Sequence, residues 1–254
     1  MKQDNKERYL RQINLSAIGS EGQKKISASS VLIIGLGGLG NPVLSYLLGA
    51  GIGNIGIVDP DEVEVTNLSR QVFFFTSDIG KLKVEVARQK VKELNPEVDI
   101  KVYPVKFNLD NGENILAEYD FIIDATDNLK SKYLISDLCV LKAKAFTQAG
   151  VNNFGGQIFT YTPSARSGCY RCFYPEAPKK KPLIDNVGVI GPVAGTLGTL
   201  QALEAIKYIL DYGELLTNRI LIYNGKHMTF KIIHFEPDID CPVCSRKYFI
   251  DNKI

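Results

Sequence analysis

Apolar residues along this chain fall into short runs closed by glycine, asparagine or aspartate. Residues 31–34, 55–58 and 119–125 are mostly β-branched, leucine or aromatic, and they end at Gly35, Asp59 and the 126–128 turn. Runs of that length between turn residues read as buried strands. Weaker runs at 99–103 and 143–148 read the same way. Between them, residues 42–50, 79–94, 108–117 and 128–141 place apolar side chains at helical spacing, and Gly51 suits the end of the first helix. Strands alternating with helices imply a parallel sheet covered on both faces. Residues 1–30 are polar and weakly periodic, which predicts a short helix and then a loop. Beyond Gly150 the pattern changes to strands at 155–161, 220–223 and 229–235 around one glycine-rich helix at 190–210, so the sheet is expected to continue in antiparallel fashion. The expected fold is α/β: a Rossmann-like mixed sheet, parallel in its N-terminal half, with helices on both faces. No linker or repeat divides the chain, so residues 1–254 read as one domain with halves at about 28–150 and 151–246. Segment 175–186, with three prolines and three lysines, is expected to be mobile.

The first strand runs into Gly35-Leu-Gly-Gly-Leu-Gly40. Gly37 and Gly38 remove the β-carbons that would hold a phosphate away. A helix starting near Gly40 presents free N–H groups and a positive dipole end to an anion. Asp59, closing the second strand, is placed to accept hydrogen bonds from ribose hydroxyls; a turn-capping carboxylate is the plainer alternative. Ligands of open α/β sheets sit beyond the carboxyl ends of the strands, so the glycine turn, Asp59 and Asp127 are expected to converge. The polar connection from Pro60 to Asp78 carries Asp61, Asn67, Arg70 and Gln71, and a loop this long is usually functional. Lys81 and Lys83, expected on the first turn of helix 79–94, oppose its dipole, which a nearby anion would explain.

Charge and composition narrow the chemistry. Thirty basic residues against 28 acidic ones leave a net charge of +2, which favours neither nucleic acid nor an anionic membrane. The N-terminus lacks the apolar core of a secretory signal. The least polar long run, 187–200, is broken by four glycines and a proline and falls short of the ~18 apolar residues of a membrane helix. A cytoplasmic setting is expected, where thiols stay reduced, so the five cysteines read as ligands, nucleophiles or core residues. The two histidines, His227 and His234, both fall late in the chain. Without histidine near the glycine turn, chemistry falls to Arg, Lys, Asp and bound nucleotide, which suits phosphate transfer. Cys169-Tyr-Arg-Cys172 and Cys241-Pro-Val-Cys244 can close a four-thiolate zinc site, clamping the C-terminal tail to the body. A redox disulfide or a catalytic CxxC are the competing readings, and Cys139 reads as core.

In combination these motifs resemble the ThiF/MoeB/HesA family of ubiquitin-activating-like adenylyltransferases, from about residue 8 to residue 244. The matching segments are Arg8-Tyr-x-Arg-Gln12, the glycine turn, Asp59-x-Asp61, Asn67-Leu-x-Arg-Gln71, Gly80-Lys-x-Lys83, Asp124-Ala-Thr-Asp-Asn128, both CxxC pairs and Gly198-Thr-Leu-Gln-Ala-x-Glu-Ala-Ile206. The resemblance implies ATP-dependent adenylation of the C-terminal glycine of a ubiquitin-like sulfur carrier ending in Gly-Gly. A ThiS-like carrier of thiamin synthesis is preferred. A MoaD-like carrier of molybdenum-cofactor synthesis, or another peptide C-terminus, is the alternative. Gly37 and Gly38 would lie against the nucleotide and Asp59 would hold the ribose. Asn67 and Arg70 would contact phosphates, Lys83 would neutralise the α-phosphate, and Asp127, with Asn128 beside it, would help bind Mg²⁺. Asp61 and Gln71 complete the nucleotide set. Arg11 would reach the γ-phosphate in the other subunit of a homodimer, and the four CxxC cysteines would hold structural Zn²⁺.

The resemblance and the physical logic agree. A peptide carboxylate, with a pKa near ~3.5, is already ionised at neutral pH, so the reaction needs charge neutralisation and no general base. Related proteins often carry a cysteine just before a Gly-Val-x-x-Pro segment; here Ile184 stands near that place. The expectation is adenylation without an enzyme-bound thioester, with sulfur from an external donor of the cysteine desulfurase or rhodanese type, since no rhodanese-like extension is seen. The carrier-tail groove is expected around 154–157 and 175–186. An NAD-dependent oxidoreductase and a non-catalytic scaffold are the readings from other classes.

Overall fold

The computed structural model describes residues 7–164, 166–175 and 188–245. Helices α1 (Leu10–Ile13) and α2 (Gly19–Ala28) precede strand β1 (Ser30–Ile34). Sequence periodicity anticipates the first helix and misses the second. Only Gly22, Gln23 and Ile26 of α2 are buried, too few apolar positions to leave a periodic signature. The chain then runs α3 (Gly40–Ala50), β2 (Asn54–Val58), α4 (Lys83–Leu94), β3 (Asp99–Tyr103), α5 (Leu109–Ala117), β4 (Phe121–Asp124), α6 (Leu129–Leu141) and β5 (Ala145–Asn152). After β6 (Gly155–Tyr161) come a single turn, α7 (Tyr170–Phe173), the long helix α8 (Gly191–Leu210), and the hairpin β7 (Arg219–Asn224) and β8 (Thr229–His234).

All eight strands form one sheet in the order β3-β2-β1-β4-β5-β6-β7-β8. Pairings from β3 to β5 are parallel, and those from β5 to β8 antiparallel. The mixed sheet is therefore as expected. Alternate residues of β1 feed two cores: Val31 and Ile33 pack with Leu44 of α3, Val84 of α4 and Leu197 of α8. Leu32 and Ile34 pack with Leu116 of α5 and Ile135 of α6. Burial on both faces is why the strand reads as an unbroken apolar run. Strand order reverses between β1 and β4, and there α8 seats on the glycine turn. A β-carbon at Gly198 would fall 2.4 Å from the Leu39 carbonyl oxygen.

Helix α4 begins at Lys83, later than the pattern suggested. Ile79 is non-helical (ψ 131°) and Gly80 has φ +82°, so Lys81 lies in the preceding loop, where its carbonyl accepts from Val63 N–H at 2.9 Å. The polar connection is ordered by Lys90, whose Nζ donates to the Phe73 carbonyl (2.7 Å) and to Asp78 (2.6 Å), over the Phe75 ring. Among the described residues no helix is long and apolar enough to cross a membrane. The expectations for residues 176–187, including mobility and the place of Ile184, lie outside the described residues.

Candidate active site

The glycines of the 35–40 turn divide by role. Gly35 (φ +93°) leaves no room for a β-carbon, which would sit 2.9 Å from the Ala125 carbonyl oxygen, and one at Gly40 would collide with the Gly35 carbonyl at 2.0 Å. These two are demanded by the fold. At Gly37 a β-carbon would meet only Gln71 Nε2 at 3.9 Å, so this glycine borders open space. Gly38 serves packing as well, because its β-carbon would press on Ala194 (3.2 Å) and the Arg70 stem (3.5 Å). No side chain caps the start of α3; Asn41 N–H already donates to the Gly37 carbonyl (3.0 Å) and Pro42 has no N–H, so the groups left to face an anion are those of the glycine turn leading into the helix.

A cleft of about 1620 Å³ opens over this turn and along the carboxyl ends of β1, β2, β4 and β5. Gly37, Gly38, Asp59, Asp61, Asn67, Arg70, Gln71, Lys83, Asp127 and Asn128 all line it, as does the Phe154–Gly155–Gly156–Gln157 stretch. Arg11 does not line it; Arg11 is exposed on α1. Neither histidine borders it, and both are exposed.

Asp59 closes β2 with 5% of its surface exposed. Its two oxygens accept the N–H groups of Leu36 (2.6 Å) and Asp61 (2.9 Å), so the turn-capping role is real. A carboxylate has about four acceptor sites, so capping leaves capacity for a ribose hydroxyl. Burial pushes its carboxyl above the ordinary range, although the nearby Lys83 charge and both backbone donors oppose that. Lys83, equally buried, reaches Asp61 at 2.9 Å and Asp59 at 3.9 Å, and its ammonium hydrogen-bonds to Asp61. Arg70 is half-buried, held by Thr66 O at 2.9 Å, and among the described residues it is paired with no carboxylate. A guanidinium with free donors in a cleft is suited to phosphate.

Across the turn, Asn128 caps α6 by accepting from Ser131 N–H at 2.9 Å. Asp127 beside it is exposed and accepts only a long contact from Asn128 at 3.5 Å among the described residues. Oxygen atoms so little committed suit a hard divalent cation. The sequence reading overlooked what lies beneath. Lys132 lines the cleft from α6, donates to the Ala149 carbonyl at 2.6 Å and stands 3.6 Å from the fully buried Asp124. Gln148 also borders the cleft, and its amide donates to Asp124 and to the Lys132 carbonyl. The signal for Lys132 was present: it falls one helical turn after the capping Asn128.

The four CxxC cysteines come together, with all Sγ atoms within 4.8 Å of one another. Cys169 lies 3.6 Å from Cys241 and Cys172 lies 3.3 Å from Cys244. A tetrahedral site with bonds of ~2.3 Å sets its sulfurs ~3.8 Å apart, near both of these contacts, so the chemistry and clustering of the four thiols fit Zn²⁺. Hydrogen bonding among the thiols pushes Cys169 up and Cys241 down. Cys139 is fully buried, and burial pushes its thiol well up, as expected for a core residue.

With this geometry in hand, comparison with known proteins is direct. A ThiF family model matches residues 9–243. The chain is 43% identical over 241 residues to adenylyltransferase and sulfurtransferase MOCS3 of Aedes aegypti, covering 94% of this chain and 55% of that protein. It is 38% identical over 244 residues to the sulfur carrier protein adenylyltransferase of Thermus thermophilus, covering 94% and 90%. It thus spans about half of the first relative and most of the second. Among solved structures, E. coli MccB with AMPCPP and MccA superposes with a TM-score of 0.83 at 26% identity, over 97% of this chain and 75% of that one. The chain belongs to the ThiF family.

Proposed function

We propose that this protein adenylates the C-terminal glycine of a ubiquitin-like sulfur carrier, forming an acyl-adenylate and pyrophosphate. The observation that carries this reading is the convergence of Arg70, Lys83 and Asp127 on one cleft beside an uncapped helix start, from three distant segments. Two anions must meet in this reaction, a carboxylate and an α-phosphate, and fixed positive charge lowers that barrier. Arg70 and Asn67 hold the outer phosphates, Lys83 faces the α-phosphate, Asp59 takes the ribose, and Asp61 with Gln71 borders the nucleotide. Asp127 would hold Mg²⁺, which would supply charge neutralisation for the leaving pyrophosphate. Arg11 serves the site of a second copy in a homodimer. The relative named sulfur carrier protein adenylyltransferase supports the substrate class.

The thiamin-type carrier is the substrate we propose, with the molybdopterin-type carrier as the competing arm. The reaction is placed in the cytoplasm, with sulfur from a desulfurase or rhodanese-type donor. What supports a reaction without an enzyme thioester is that four of the cysteines are gathered where they could hold a metal and Cys139 is fully buried. The test is ATP–pyrophosphate exchange with each purified carrier. Exchange that requires a Gly-Gly terminus supports the reading. Exchange without carrier, NAD binding in place of ATP, or a trapped carrier–enzyme thioester would each contradict its corresponding part.

A further inference from the structure

The cleft extends well beyond the nucleotide turn. Its far wall is aromatic, formed by Tyr170, Phe173 and Tyr174 from α7 and the residue after it. That wall and the four-cysteine centre are the same piece of chain. Cys169 precedes the first residue of α7, Cys172 lies within it, and their backbones are joined by Cys172 N–H to Cys169 O at 3.0 Å. A four-residue helix has no stability of its own, because nucleation costs more than one turn returns. Its position must come from what grips it. On one side, Arg171 forms two 2.8 Å bonds to Asp137, and Tyr133 Oη donates to the Tyr174 carbonyl at 2.9 Å. On the other side, Cys172 meets Cys244 of the tail, and Phe173 packs its ring 4.9 Å from Phe235, just past β8.

We propose that the four-cysteine centre fixes the substrate-facing aromatic wall of the cleft, so that metal occupancy governs carrier affinity and leaves nucleotide affinity alone. The inference rests on the adenylation reading above. Metal–thiolate bonds of fixed length would set α7 against the tail to within a few tenths of an ångström, whereas four metal-free thiols carry only weak, exchanging hydrogen bonds. Strand spacing supplies the scale. Phe173 and Tyr170 pack on Phe159 of β6, three strands from β1 and its glycine turn. Three intervals of ~4.8 Å make ~14 Å, the length of about four extended residues. The wall therefore receives an apolar side chain about four residues upstream of the terminal glycine, while the glycines themselves pass to the nucleotide.

Carrier affinity, ATP affinity and metal content are measured on the wild type before and after chelation, and on Phe173→Leu and Tyr174→Ala. Tyr174 is 41% exposed, so its removal leaves the core intact. The chain has no tryptophan, so near-ultraviolet circular dichroism reports its tyrosines directly. Chelation is expected to weaken carrier binding about tenfold and alter the tyrosine signal, with ATP affinity held within about twofold. Each variant is expected to weaken carrier binding by about five- to tenfold at full metal content. Metal loss with unchanged carrier affinity would overturn the proposal, as would a parallel fall in ATP affinity. If chelation unfolds the chain, unchanged carrier affinity in both variants overturns it. A wild type that neither binds nor adenylates any carrier defeats the adenylation reading instead, and an unchanged tyrosine signal on metal removal then defeats the anchoring of the wall.

Discussion

The two ends of the sheet solve different problems with different residues. The parallel half buries charge: Asp59, Lys83, Asp124 and Lys132 are each at most 6% exposed around the strand ends. The antiparallel end gathers rings and thiols, with Phe159, Tyr170 and Phe173 in mutual contact beside the four cysteines. Beyond them β8 is exposed along its whole length. Desolvating ions costs several kcal/mol each unless partners compensate, so buried charge persists where it has work to do at a ligand. Asp59 shows that cost, since burial holds its carboxyl above the ordinary range even beside a lysine. The aromatic end gains its order from packing and brings four cysteines of two distant segments together.

Breaking the charged end should abolish chemistry and spare the fold. Asp127→Ala is expected to lower carrier-dependent pyrophosphate exchange by about 10³-fold or more. Because Asp127 is exposed and barely bonded, denaturant unfolding should move by no more than about 0.5 kcal/mol. Lys83→Met should cost about 10²–10³-fold in the same assay, and Asp59, deprived of its neighbouring cation, should titrate higher still by carbon-13 NMR.

Breaking the other end should reverse the order of effects. Cys244→Ala is expected to lose the metal and about 2–5 kcal/mol of stability, comparable to losing a native cross-link, with exchange falling only as a consequence. Metal content at the wild-type level in that variant would refute the zinc assignment.

The smallest effects concern the long polar connection from Pro60 to Asp78, which Lys90 of α4 ties down. Lys90→Met should cost about 1.5–3 kcal/mol by chemical denaturation, the worth of hydrogen bonds made to a charged group. Burial pushes the Asp78 carboxyl up, but the hydrogen bond and charge of Lys90 outweigh it, so the group sits below its ordinary 3.8. A depressed carboxylate contributes stability that is present above 3.8 and lost as pH falls through the folded value. Acid titration of Lys90→Met should show that loss diminished. Asp59 has the opposite sign: its raised carboxyl makes the folded state relatively less stable as pH climbs through its titration.

Much of this was legible in the sequence because the physics was local. A β-strand buried on both faces is largely apolar, as β1, β2 and β4 are along their buried runs, with Asp124 at the end of β4 as the charged exception. Gly35 and Gly40 announced the turn because backbone from β4 and from the turn itself fills the space a side chain would need. The CxxC pairs were legible because spacing alone lets two thiolates share an ion. Three features were not. Helix α2 turns one sparse face inward. Lys81 was assigned to α4 because nothing in its spacing reveals the left-handed Gly80 that delays the helix. The aromatic wall combines α7 with β6, and no sequence period links residues that meet only through the sheet.

In the proposed reaction, ATP is held here for attack at its α-phosphate by a peptide carboxylate. Intact-mass analysis of a Gly-Gly-ended carrier incubated with enzyme, Mg²⁺ and ATP, with the released phosphates identified, tests it most directly. The expected result is a carrier heavier by one adenylyl group with pyrophosphate as the co-product, both abolished by Asp127→Ala. An unmodified carrier, or release of ADP with orthophosphate, would contradict it.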